Sequence, residues 1–558
     1  MLGLNLQSRQ EALISRSDGL ARDAAACAIR SGDFKKAIEL LEEGRAIFWS
    51  QALQLRTPLD DLRVKRPALA QKLENISQAL EQGSQRDTFR SPSDSAQRVM
   101  SMEQEAIRYR HLNDDWVDTL EEVRRVDGFE DFLRPKQFST LQLAASHGPI
   151  VILNASRSGC DALIVTLDGI CHIPLSPFSF ALASDLVSLI RHAISSKSVH
   201  SLSFIGMEVP AADEGSEPKK GGEAMEWSLD SLPEDLRSDP ELMRLLDDQD
   251  RHGKRVSSSG LSKDDIFGFV LEKLWTCVVE PVLHCLGLKK SDPPPHLWWC
   301  PTGPFAFLPI HAAGIYGSRE RSECISDYVV SSYTHTLSSL ISLVPNPVPK
   351  LENPFKMLAV IQPQTPGHSS LPSTVQELRK IEGRVPDDVL IKSGLQGTPS
   401  SVENVAAYLS TATIAHFACH GIQDAENPLE SGLVLSDGRL TVSRIMQQPM
   451  PNASLAFLSA CETAMGDDKL PDEAMHLAAT LLFSGFRGTV ATMWSIYDED
   501  GPKIVDCFYE HLFQDETGVR VSFPDTTRAA RALHAAVAKL RKEGKPFARW
   551  VPFVHFGL

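Results

Sequence analysis

No apolar run in this chain is long enough to cross a bilayer. The longest, such as AMHLAATLLF (474–483), reach about ten residues, half of the roughly 20 that a spanning helix needs. The opening MLGLNLQSRQEALISRSDGLARD lacks the basic start and apolar stretch of a secretory leader, so a cytoplasmic, membrane-free protein is expected. The ten cysteines form no CxxC and no regular framework, a pattern that suits reduced thiols rather than zinc sites or disulfides. There is no GxxxxGK[ST], and no GxGxxG follows a strand, so the phosphate-cradling loops of nucleotide-binding proteins are missing. Positive charge is also in deficit. With 56 basic against 72 acidic residues the net charge is -16, which repels phosphate backbones and argues against a nucleic-acid partner.

What remains is a globular composition, 42% hydrophobic and 23% charged, over 558 residues, enough for two to four domains. The first 137 residues read as helical. In the segment 1–56 two helical stretches meet at Ser31-Gly32-Asp33, with Asp33 placed to cap the second. Ala24, Ala37 and Gly44 are small enough for close helix approach. The pattern resembles one tetratricopeptide repeat, and one such hairpin cannot bury its own apolar face. It must stack on later helices, on a partner, or on further repeats. Residues 57–137 continue as a helical hairpin or bundle.

From 138 to 206 the pattern turns to strands. PIVILNAS, DALIVTL and CHIPLS predict an antiparallel meander, with Asp168-Gly169 as a two-residue turn. The acidic stretch 207–263, poor in aromatics and punctuated by Gly, Pro and Ser, reads as a mostly disordered insertion. Beyond it, near-continuous apolar strands alternate with helices (264–558), the signature of a mostly parallel sheet flanked by helices on both faces.

Two of those strands carry the chemistry. In TIAHFACHG (413–421), His416, Ala418 and His420 share one face and Cys419 points to the other, which disfavours a Cys-His metal site. His420-Gly421 stands where the strand runs out, and LAFLSACETA (455–464) ends into Cys461 in the same way. In parallel sheets, ligands collect beyond the carboxyl ends of strands. On neighbouring parallel strands, a Cys461 thiol and a His420 imidazole would meet at one edge as a nucleophile and its base. Spacing alone leaves two alternatives open, such a dyad or two ordinary strand ends. His416, one pleat inward, reads as a satisfied core histidine.

The segments LWWCPTGPFAFLPIHAAG, HFACHG, LSACETAMGDDKLPDEAMHLAATLLFSGFRGTVATMWSI and PFVHFGL resemble the CHAT family of caspase- and separase-like domains, which commonly follow tetratricopeptide repeats. The resemblance implies a caspase-like fold and a cysteine peptidase. His420 would be the catalytic histidine, Cys461 the nucleophile, and the amides of Gly421 and Cys461 the oxyanion donors. Neither metal nor cofactor is called for.

In caspase-like folds the strand after the catalytic helix lines the specificity pocket. Here Trp494 would form a wall, and Asp498, Glu499 or Asp500 an acidic floor, against the plainer reading of solvated loop carboxylates. An acidic floor would make Lys254 or Arg255, in the flexible insertion, a point of self-processing. The expected partners are a protein or peptide substrate and a regulator at the helical region. The competing reading is a catalytically silent scaffold or sensor of the same fold.

Overall fold

A computed structural model describes residues 19–84, 95–195, 262–316, 322–343, 355–395, 397–424, 427–448, 450–461, 463–466, 470–515 and 517–558, together with Leu236, Asp239 and Leu242. Lys254 and Arg255 lie outside the described residues. The three isolated positions bear on the acidic stretch. Leu236 and Leu242 are fully buried in the main core, and Asp239 pairs with Lys273 at 3.0 Å. These three positions therefore rest on the domain through two apolar side chains and one ion pair.

The strands are β1 (Ile150–Ser156), β2 (Gly159–Thr166), β3 (Gly169–Pro174), β4 (His296–Pro301), β5 (Gly314–Ile315), β6 (Glu323–Cys324), β7 (Val330–Tyr333) and β8 (Met357–Ile361). They continue as β9 (Leu390–Ser393), β10 (Ile414–Ala418), β11 (His420–Ile422), β12 (Gly432–Val434), β13 (Arg439–Thr441), β14 (Leu455–Ser459), β15 (Gly488–Thr492) and β16 (Phe553–Gly557). Eleven of them make one sheet in the order β3-β2-β1-β4-β7-β16-β15-β14-β10-β8-β9. β1, β4, β7 and β16 run parallel to one another, as do β15, β14, β10, β8 and β9. β15 and β16 pair antiparallel, so the two halves expose their carboxyl ends at opposite edges.

The meander forms as expected, with two refinements. The turn is Leu167-Asp168, one residue earlier than predicted, since Thr166 pairs with Gly169. More consequentially, β1 also pairs with β4, so the meander is the outer edge of the one large sheet rather than a separate unit. All seven residues of β1 are buried because both faces are covered. Val151 and Leu153 face one core, and Ile150 and Ile152 face another made with the N-terminal helices.

Those helices, Leu20–Arg30 and Phe34–Glu43, form the predicted hairpin. Asp33 caps the second, accepting from the Lys36 amide at 3.0 Å. Their apolar stripe of Ala25, Ile29, Ala37, Ile38 and Leu41 is laid on the sheet, not on a further repeat. Burial against the sheet replaces the stacking that a solenoid would need. Helices Pro67–Ser84 and Ser95–Arg124 make a second hairpin with a small core of their own, including Leu73, Trp116 and Leu120.

The helix beginning at Lys263 does not stop before Pro281. It widens to a π turn over Trp275–Val279 and continues through Glu280–Leu286. Placing Pro281 at the head of that last segment puts its missing N–H where no helical partner is required.

Candidate functional site

β10 and β14 are adjacent and parallel, in a register that sets Ala418 beside Ser459. His420 and Cys461 each lie two residues beyond that last pair, and both are half-buried. Further inward, the paired residues His416 and Phe457 stack with ring centroids 5.0 Å apart. The two chain segments touch directly. A β-carbon added to Gly421 would lie 2.4 Å from the Cys461 carbonyl oxygen, so only glycine permits this backbone-to-backbone approach. Gln423 Nε2 donates to the Met465 carbonyl at 2.8 Å and ties the two segments again.

The His420 ring is oriented by the backbone. Its Nε2 lies 2.8 Å from the Ser369 carbonyl, which can only accept, so Nε2 carries the hydrogen. In the neutral ring Nδ1 is then the basic nitrogen. His368 stacks on His420 with centroids 5.0 Å apart, and partial burial together with its histidine neighbour lowers its pKa. Neither His368 nor Ser369 was found from sequence. A backbone carbonyl in a polar loop carries no residue signature.

The turn after Cys461 is pinned to the end of β15. Thr463 is fully buried; its hydroxyl accepts from the Thr492 amide at 3.0 Å, and Thr492 Oγ1 donates to the Ala460 carbonyl at 2.7 Å. Beneath the site lies a buried polar cluster. Glu377, on the helix Ser373–Glu382, accepts from Ser459 Oγ at 3.1 Å and contacts His416 Nε2 at 3.1 Å. The other His416 nitrogen is 3.1 Å from the Tyr509 hydroxyl. Burial raises the Glu377 pKa, against the opposing pull of His416. His416 is thus a core histidine with both nitrogens satisfied. The signal for its partner was available: a histidine inside a wholly buried strand demands a polar neighbour.

Several expectations need correcting. Trp494 is 3% exposed, its indole donates to the Ala548 carbonyl at 3.1 Å, and its ring packs on Phe267. It is core between two helices, not an open pocket wall. Asp498 is half-buried and one of its oxygens accepts from the Ser373 amide at 2.9 Å, while Asp500 is buried in an ion pair with Arg549. Neither forms an open acidic floor. Asp472 and Glu473 precede the next helix, which begins at Leu477 with His476 as its cap. Cys419 is buried, and burial pushes its thiol far above the ordinary range. All ten cysteines are free, and among the described residues no group of His, Cys, Asp and Glu is gathered to hold a metal. No helix among them is long and apolar enough to cross a membrane.

The family model for the CHAT domain matches residues 269–558, more than half of the sequence. The chain belongs to the CHAT domain family. No curated protein matches it. Among solved structures this CHAT chain is similar to the Arg-specific cysteine proteinase gingipain R, at 12% identity over 52% of this chain and 67% of that one, with a TM-score of 0.33. It is also similar to the complex of Porphyromonas gingivalis RgpB pro- and mature domains, at 14% identity over 53% and 76%, TM-score 0.35. A third likeness is to the Saccharomyces cerevisiae separase–securin complex, at 13% identity over 98% of this chain, TM-score 0.41. There the CHAT chain spans 40% of the separase chain.

Proposed function

We propose that the protein is a cysteine endopeptidase acting on a protein substrate through Cys461 and His420. The observation that carries this reading is the contact of Gly421 with the Cys461 carbonyl, together with the Ser369 carbonyl that reserves His420 Nδ1 as the base. In the proposed reaction the Cys461 proton passes to Nδ1 and the thiolate adds to the scissile carbonyl. The amides of Gly421 and Cys461 are the proposed donors to the oxyanion. On collapse, the imidazolium protonates the departing amine, and water releases the acyl group in a second round.

A positional peptide library tests the reading with the wild type, Cys461→Ala and His420→Ala in parallel. Loss of cleavage by at least about 10³-fold in both variants is expected. Cleavage that survives Cys461→Ala sinks it. So does a wild type that neither cuts peptides nor labels at Cys461 with a cysteine-directed electrophile, which would leave the scaffold reading. Sequencing new N-termini after incubation, with Lys254 and Arg255 as the proposed points, tests self-processing separately.

A further inference from the structure

The segment Asp472–His476, eleven residues beyond Cys461, is gripped by the N-terminal helices. Arg22 Nε pairs with Asp472 at 2.9 Å and Arg45 Nε approaches the other oxygen at 3.6 Å. Both arginine side chains are 5% exposed. The same carboxylate accepts from the Gly303 amide at 3.0 Å, and the Asp472 carbonyl accepts from the Ala46 amide at 2.9 Å. Glu473 accepts from the Phe48 amide at 2.9 Å, and the Trp49 indole donates to the Ala474 carbonyl at 3.1 Å. Trp49 also stacks on Phe483 at 4.9 Å.

Two non-glycine residues in this contact, Ala46 and Ala474, hold positive φ angles of 48° and 51°. Such backbone persists only where surrounding contacts over-determine it. The grip connects to the nucleophile by a short path. His476 caps the helix Leu477–Phe483, and the Ala478 amide of that helix donates to the Thr463 carbonyl at 3.0 Å, two residues past Cys461.

We propose that Arg22 and Arg45 are positioning residues for Cys461, acting through Asp472. The proposal rests on the reading of Cys461 as the nucleophile. The N-terminal helices are then part of what holds the sulfur beside His420, rather than a detachable recruiting module. A fixed carboxylate between two buried guanidinium groups sets where the loop can lie, and the Thr463 link carries that constraint to the turn.

The test reads Cys461 without any peptide substrate, so its failure is distinct from failure of the peptidase reading. Asp472→Asn removes the charge with little change of shape, and Trp49→Phe removes the indole donor together with part of the ring stacked on Phe483. Hydrogen exchange over 461–476 is measured in the folded full chain, with the rate of Cys461 alkylation by iodoacetamide from pH 6 to 9 and Cys27 as internal reference. The expected result for Asp472→Asn is exchange faster by about tenfold across 461–476, with β10 and β14 unchanged. Alkylation at pH 7 should also fall about tenfold, as a displaced thiol loses its histidine partner. Trp49→Phe should move both in the same direction by less, and Arg22→Gln, which removes one of the two guanidinium groups on Asp472, carries the test if Asp472→Asn does not fold. Exchange that rises uniformly over the domain, or a Cys461 rate and pH profile within about twofold of wild type in the folded variants, overturns the proposal. A displaced Cys461 in a chain that cuts no peptide leaves the grip standing and removes the peptidase.

Discussion

The two halves of the sheet carry the same residue types at their strand ends and arrange them to opposite effect. In one half, Cys300 lies near the end of β4, and His335 stands two residues beyond the end of the adjacent parallel strand β7. In the other, Cys461 and His420 each stand two residues beyond the ends of the adjacent parallel strands β14 and β10. Cys300 is 1% exposed; burial raises its thiol pKa, and its sulfur meets the Arg45 guanidinium and the backbone carbonyl of His335. The His335 ring turns away, to His476 at 3.0 Å and a parallel stack on Phe556. Cysteine and histidine on neighbouring strands are therefore not enough. A usable pair also needs access to solvent and an imidazole whose second nitrogen is held by something else, as the Ser369 carbonyl holds His420.

The sharpest way to break this comparison is to label all ten thiols in the native state and locate the adducts by mass spectrometry. Cys461 should react directly. Cys300 can react only through opening of a core whose stability is on the order of 5–15 kcal/mol, so its rate should be at least about 10³-fold lower. Equal labelling of the two would erase the distinction between the halves.

Gly421→Ala comes next in size. The added carbon cannot fit 2.4 Å from the Cys461 oxygen, so the two segments must separate, and in the proposed dyad a shift near 1 Å is expected to cost about 10²-fold in rate. The matching change in the other half is Gly148→Ala, where the clash is with the His296 carbonyl at 2.8 Å and φ is +149°. It should lower the unfolding midpoint while leaving Cys461 reactivity per folded molecule unchanged.

The strands of the second half could be read from sequence because each is an unbroken apolar run, and the same reading puts His420 and Cys461 just past the ends of two of them. The Cys300–His335 arrangement is equally present in sequence and looks no different there, because burial and ring direction are not written in residue order. The roles of Asp472 and Glu473 are hidden in sequence for a related reason. Acids before an apolar helix resemble a helix start, whereas Glu473 accepts from Phe48, 425 positions away. Trp494 was misjudged because an aromatic after a strand looks the same whether it lines a pocket or fills a core.

Acid should distinguish the halves next. Around β4, β7 and β16, burial holds His311 and His476 down at about 4 and His555 at about 3, with His296 and His335 also lowered. As pH falls through the ordinary value of 6.5, the unfolded chain takes up protons that these folded histidines refuse. Stability is then fully present above pH 6.5 and is lost toward pH 4, by about 1.4 kcal/mol per group and pH unit. Glu377 in the other half has the opposite sign, since its raised pKa favours the folded state as pH falls. From pH 7 to pH 5, hydrogen-exchange protection factors, which correct for the slower intrinsic exchange in acid, should therefore fall in β4, β7 and β16 before β10 and β14. Simultaneous loosening would show that the antiparallel β15–β16 seam couples the halves into one unit.

The smallest effect concerns how firmly His420 is held. His368 is exposed, so its stack on His420 contributes less than the ~0.5–1.5 kcal/mol of a buried aromatic pair. His368→Ala should slow Cys461 alkylation at pH 7 by about two- to fivefold, because the ring keeps its Ser369 hydrogen bond but loses its lateral support. His368→Phe restores the stack without a titratable group and should recover most of that loss. If phenylalanine is as slow as alanine, His368 acts through its charge or its own hydrogen bonding. If neither variant differs from wild type, the Ser369 carbonyl alone fixes the imidazole, and the difference between His420 and His335 reduces to that one backbone acceptor and access to water.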